Sequence, residues 1–163
     1  MAVQERNSEL VDILLPDIVA QCNSHSFRAY LSADQSIPSG STSVVELDTV
    51  QLGDTSGWFN TSTYRLEPEI AGYWHINAAI FFYNAGAGQY VQTYLIRNGS
   101  SISAARNISV ASGSDLSAVI SDIVYLDGST HYLQIGGRQN SGTDQDIFGN
   151  TDYTFMSGHY LGN

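Results

Sequence analysis

Residues 57–82 hold the strongest constraint on what this chain can fold into: two short aromatic segments, a proline and glycine corner, and one long apolar run. Trp58-Phe59 and Tyr64-Arg65-Leu66 flank the polar turn Asn60-Thr61-Ser62-Thr63, and Pro68 with Gly72 permits a sharp change of direction before residues 73–82. Proline fixes φ and glycine accepts φ values closed to other residues, so the segment reads as strand, turn, strand, corner, strand.

Downstream, period-2 alternation marks residues 90–96, 116–126 and 131–135 as strands. The breaks between them are rich in glycine, asparagine and serine. Asn98-Gly99 between apolar runs is a hairpin signal, because both residues tolerate positive φ, and Asp127-Gly128 reads as a second hairpin. Residues 44–50 read as one further strand, and Gly86-Ala87-Gly88 as a hairpin-like tip without the helix that a phosphate-binding loop needs. Many short strands at this spacing predict a sandwich or barrel.

The stretch 66–76, Leu66-Glu67-Pro68-Glu69-Ile70-Ala71-Gly72-Tyr73-Trp74-His75-Ile76, resembles the corner and inner strand of the complement-q globular head and the tumour-necrosis-factor superfamily. Residues 26–31 (Ser-Phe-Arg-Ala-Tyr-Leu) match that family's opening strand, and Gly158-His159-Tyr160-Leu161 its closing strand, so the resemblance spans residues 26–161. It implies an all-β, ten-stranded antiparallel jelly-roll sandwich over residues 26–163. It also implies a homotrimer whose inner-sheet aromatics line a threefold axis, with Tyr73, Trp74, Phe82, Tyr94 and Tyr160 as interface candidates. The number of aromatic residues, 10 Tyr, 6 Phe and 2 Trp, agrees with this, since one small core cannot easily hold them all.

Residues 1–25 form a separate arm, short and either helical or extended. Leu10, Val11, Leu14, Leu15, Ile18 and Val19 recur at three- and four-residue spacing, and Pro16 interrupts any helix they make. A piece this short needs a surface to lie on: the barrel of its own chain, or a partner that it anchors to.

Composition narrows the function. The formal charge is −10, with six basic residues, all Arg, against 16 acidic ones. Such a field repels phosphate backbones and anionic membranes, so neither nucleic acid nor membrane is an expected partner. No charged and then apolar leader opens the chain, which reads as synthesis in a host cytoplasm without secretion and points to a viral or bacterial relative. Four histidines (His25, His75, His131, His159) show no metal-ligand spacing, no G-x-S-x-G elbow occurs, and Glu67 with Glu69 read as solvated corner acids. No enzyme and no cofactor are expected. Asp144, Asp146 and Asp152 are the only calcium candidates considered, and a solvated acidic loop is the plainer reading of them.

Two interaction roles follow. In the first, the protein is a bacteriophage virion component, a homotrimer that decorates or cements the capsid and is held to the major capsid protein or another virion protein by its N-terminal arm. In the second, it is the receptor-binding tip of a tail or head fibre, recognising host surface glycans through an outward loop that includes Arg138, Gln139, Asn140, Asp144 and Asp146.

Overall fold

The computed structural model describes residues 25–53 and 56–163; Leu10, Val11, Leu14, Leu15, Ile18 and Val19 of the arm lie outside the described residues. The described residues contain thirteen strands: β1 (Ser26–Tyr30), β2 (Gln35–Ile37), β3 (Ser43–Val44), β4 (Thr49–Leu52), β5 (Phe59–Asn60), β6 (Arg65–Leu66), β7 (Ala71–Ala85), β8 (Tyr90–Arg97), β9 (Ser100–Ile108), β10 (Ser114–Asp127), β11 (Leu133–Gln139), β12 (Gln145–Ile147) and β13 (Phe155–Gly162). They form two antiparallel sheets. The seven-stranded sheet runs β2-β12-β7-β13-β1-β4 with β10 paired to β7, and the six-stranded sheet runs β5-β6-β11-β8-β9 with β3 paired to β11. This is the expected all-β jelly roll, with the edges divided into shorter pieces than ten strands would give.

The 57–82 stretch folds as its residues dictate. The Asn60 side-chain oxygen accepts the Ser62 and Thr63 N–H groups at 2.9 and 3.2 Å, closing the turn that pairs Phe59 with Leu66. At the corner, Gly72 takes φ +152°, and a Cβ there would lie 2.4 Å from Tyr160 Cε2 and 2.6 Å from the Gly162 carbonyl oxygen. Only glycine fits. The Tyr160 hydroxyl donates to the Ala71 carbonyl at 2.9 Å, so the closing strand fastens the corner.

From that corner β7 alternates along its length. Trp74, Ile76, Ala78, Ile80 and Phe82 point inward and are buried, joining Val91, Leu95, Leu133 and Ile135 of the six-stranded sheet in one core. Tyr73, His75, Asn77, Phe81 and Tyr83 take the opposite face. Thr93 of β8 links the sheets, its hydroxyl donating to the Ala118 carbonyl at 2.7 Å.

Several expectations need correction. Trp74 and Phe82 fill the protomer's own core, because the strand's period puts them on its inner face. Tyr94 stands on β8 in the six-stranded sheet, on the alternate register from inward Thr93 and Leu95, and so cannot share a face with Tyr73. Asn98-Gly99 makes the expected hairpin, with φ 50° and 78° between Arg97 and Ser100. Asp127-Gly128 does not: β10 pairs with β7 and β11 with β8, so this turn crosses between sheets. There the Asp127 carboxylate accepts the Thr130 hydroxyl and the Ser129, Thr130 and His131 N–H groups. The hydroxyl and those N–H groups together hold the Asp127 carboxyl well below the usual carboxylate range. Residues 86–89 likewise turn from one sheet to the other. Residues 44–50 divide between β3 on β11 and β4 on β1.

Gly72→Ala should lower the unfolding free energy by about 1–3 kcal/mol through strain at this conformation. Chemical denaturation measures it, and an unchanged midpoint would contradict the role given to the corner.

Candidate functional site

The outer face of the seven-stranded sheet is where this fold departs from ordinary patterning. An antiparallel sheet with one solvated face alternates apolar-in with polar-out. Here the outward positions carry Tyr73, Val119, Ile123, Tyr125 and Leu161, exposed at 49, 62, 58, 42 and 49%. Exposed β9, on the other sheet, reads Ser-Ser-Ile-Ser-Ala-Ala-Arg-Asn-Ile and is mostly polar.

Register places these side chains in rows across the strands. Tyr125 lies opposite Tyr73, their rings edge to face at 5.4 Å. Ile123, His75 and His159 form the next row, then Ser121, Asn77, Ser157 and Arg28, then Val119, Ala79, Phe155 and Tyr30. At the far end Phe81, Tyr83, Phe148 and Tyr153 cluster, with Phe81–Tyr153 at 4.9 Å and Tyr83–Phe148 at 5.1 Å. Arg28 is the charged side chain of these rows. Its guanidinium lies 3.7 Å over the Phe155 ring and donates to the Thr151 carbonyl at 2.6 Å and to Gln51 Oε1 at 2.9 Å. Burial lowers its pKa, against a smaller raising effect of Asp152.

The open edge of this sheet, β10, is guarded. Asn107 Nδ2, Thr93 Oγ1 and an Arg97 guanidinium N–H donate to the carbonyls of Ser117, Ala118 and Tyr125, and the Asp122 carboxylate accepts the Ile123 N–H. Side chains that occupy an edge discourage further strand pairing. What remains available is the face.

Of the five interface candidates read from the sequence, Tyr73 lies on this face. Tyr160 is half-buried at one end of the core, tilted on Trp74 at 5.6 Å. Val119, Ile123 and Leu161 escaped the sequence reading as interface residues, although alternation through residues 116–126 contained the signal for the first two. The neighbouring imidazoles of His75 and His159 escaped it as well, because strand register and not sequence spacing brings them together.

The outward-loop candidates divide. Gln139 is fully buried and structural: its amide donates to the Ile37 and Thr143 carbonyls at 2.9 and 2.7 Å, and its carbonyl accepts the Ser141 N–H. Asn140 Oδ1 accepts the Tyr90 N–H at 2.6 Å. Arg138 pairs in register with Gln92, on the outside of the six-stranded sheet. Asp144 and Asp146 are exposed and, with Tyr83, Asn84, Gln89 and Ser112, line an open cleft of about 590 Å³. Partial burial, then Asp34, Asp115 and Asp146, raise the Tyr83 phenol above its ordinary pKa, which identifies this end of the molecule as acidic. Asp152 lies on the separate segment before β13, where its N–H donates to Asn150 Oδ1. Among the described residues, no three His, Cys, Asp or Glu side chains of one protomer converge to hold a metal ion. No helix among them is long and apolar enough to cross a membrane.

No protein-family model matches this chain, and no curated protein matches it in sequence. Solved structures do resemble it. The Eiger tumour necrosis factor of S. frugiperda superposes with a TM-score of 0.67 at 9% identity, covering 85% of this chain and 93% of that one. Murine APRIL at pH 5.0 gives 0.61 at 10% identity, over 84% and 98% of the two chains. The globular domain of zebrafish complement 1qA gives 0.60 at 9% identity, over 85% and 97%. At these identities the similarity establishes a shared fold, the tumour-necrosis-factor and complement-q jelly roll.

Gln139→Leu should cost about 1–3 kcal/mol by removing the side-chain partner of the Ile37 carbonyl and the Ser141 N–H, the Thr143 carbonyl keeping the Ser141 hydroxyl, whereas Asp144→Ala should stay within about 0.5 kcal/mol. Equal effects in thermal and chemical denaturation would contradict this division of the loop into structural and free residues.

Proposed function

We propose that this chain is a non-enzymatic structural protein that assembles as a homotrimer through the outer face of its seven-stranded sheet. The observation that carries this reading is the gathering of exposed Tyr73, Val119, Ile123, Tyr125 and Leu161 on one face, against two exposed large apolar side chains, Ile102 and Ile108, on β9 of the other sheet. Exposed apolar side chains gathered on one face mark an interaction site, here with one polar row between Ile123 and Val119, and tyrosine suits such a site because it buries a ring while its hydroxyl stays paired. The acidic surface elsewhere, in a chain of formal charge −10, opposes association by any other route. The sequence resemblance adds the threefold arrangement, and the fold shared with solved structures supports it.

Within that reading, the trimer serves as a bacteriophage capsid decoration or cement protein, set on the virion by residues 1–25. The motivation is the amphipathic spacing of Leu10, Val11, Leu14, Leu15, Ile18 and Val19, which needs a surface to cover. A trimer matches the local threefold positions of an icosahedral shell, and binding only the assembled shell would stabilise it by mass action. The second reading, a glycan-recognising fibre tip, draws support from the polar cleft of Tyr83, Asp144 and Asp146, whose ring, amides and carboxylates suit a neutral sugar.

The purified protein should sediment near three times the 17.7 kDa of one chain, and Ile123→Asp should give a folded monomer. An exposed substitution changes protomer stability by about 0.5 kcal/mol or less, whereas a carboxylate buried unpaired between copies costs several kcal/mol. A wild-type monomer at micromolar concentration would overturn the assembly. Deleting residues 1–24 should leave a folded trimer that no longer binds virions; retained binding would overturn the anchoring role and leave the trimer standing.

A further inference from the structure

His75 of β7 and His159 of β13 are directly opposed in the register of the seven-stranded sheet, and their rings meet edge to face with centroids 5.2 Å apart. His75 Nε2 lies 3.0 Å from the Ser121 hydroxyl oxygen of β10. In the tautomer that donates from Nε2, the Nδ1 lone pair is left free. His159 is exposed and has no hydrogen-bond partner among the described residues. Their row continues to Ser26 on one side and Ile123 on the other, so no carboxylate or guanidinium shares it.

In an isolated protomer, water satisfies both imidazoles. The assembly proposed above removes that water, and a buried ring nitrogen without a partner then costs about 1–3 kcal/mol. We infer that the paired imidazoles of His75 and His159 bind a zinc-like transition-metal cation, in a site completed by the same residues of neighbouring protomers. This rests on the trimer reading. One protomer supplies two nitrogens, and zinc sites use three or four protein ligands, so the site is incomplete without a second copy.

The chemistry selects the ion. Neutral imidazole is a ligand for zinc, copper or nickel, whereas calcium and magnesium take oxygen. Ser121 has the place of the group that ordinarily accepts the second ring N–H of a metal-bound histidine, fixing tautomer and ring orientation. The chain's formal charge of −10 also favours cation uptake. Sequence spacing could not reveal this pair, since the two histidines lie on strands distant in the chain and meet only through antiparallel pairing.

The test titrates zinc chloride into untagged, chelator-treated full-length protein by calorimetry, with sedimentation of the same samples before and after. The expected result is a trimer in both, binding zinc at fewer than one ion per chain. His159→Gln should weaken binding by at least about tenfold, and Ser121→Ala by about tenfold, while the metal-free form of each variant still sediments as a trimer. A trimer that takes up no zinc, or a His159→Gln trimer that binds it as the wild type does, overturns the metal site and leaves the trimer intact. A metal-free monomer overturns the trimer reading; if zinc then drives its association through these histidines, the metal site survives that failure, and if zinc does not, both fall.

Discussion

The fifteen-residue strand β7 pairs with β10 along one edge and with β13 and then β12 along the other. A strand has two faces of period two, so one stretch of sequence serves two purposes. Its inner residues, Trp74 to Phe82, meet the six-stranded sheet and supply the large side chains of the core. Its outer residues, Tyr73 to Tyr83, organise the surface proposed above as the interface. The Gly72 corner, fastened by Tyr160, fixes the register from which both faces follow, because a slip of one residue would exchange them.

The interface reading depends on the contrast between the two sheets. The six-stranded sheet shows water a strand, β9, of serine, alanine, arginine and asparagine with two exposed isoleucines, Ile102 and Ile108, whereas the seven-stranded sheet shows a larger group of aromatic and branched side chains. Both sheets share one core, so core packing alone does not require the second pattern. The guarded edge of β10 makes sheet extension an unfavourable alternative, which directs association to the face. Within that face, two imidazoles are the polar groups for which burial raises the sharpest question of partnering.

Much of the fold was legible in the sequence because its signals are local. The Asn60 turn, the Pro68 and Gly72 corner, the Asn98-Gly99 hairpin and the closing strand each depend on a few adjacent residues. Sheet assignment was less legible. Asp127-Gly128 turns the chain as its residues require, but a turn does not specify whether the next strand pairs with the last or crosses to the other sheet. Trp74, Phe82 and Tyr94 read as interface aromatics because β7 carries rings on both faces and β8 carries Tyr90 and Tyr94 on one, and only the position of the second sheet tells inside from outside. The outward loop was legible as polar, yet Gln139 proved to be its internal brace, a role set by the Ile37 and Thr143 carbonyls that fold back upon it. The site residues that alternation did offer, Val119 and Ile123, lie on β10, away from the aromatic run that drew the reading to β7.

Two isoleucines allow a direct test of whether the outer face is covered. Ile123, on that face, and Ile108, on β9 of the opposite sheet, are 58% and 55% exposed in the protomer and have the same intrinsic chemistry. Hydroxyl-radical footprinting of the native protein, read by mass spectrometry, compares them within one sample. If the seven-stranded sheet is the assembly interface, Ile123 is strongly protected relative to Ile108, and Tyr73 and Tyr125 are protected with it. Equal oxidation of the two isoleucines would mean that the face is open to water, and the central claim would be wrong.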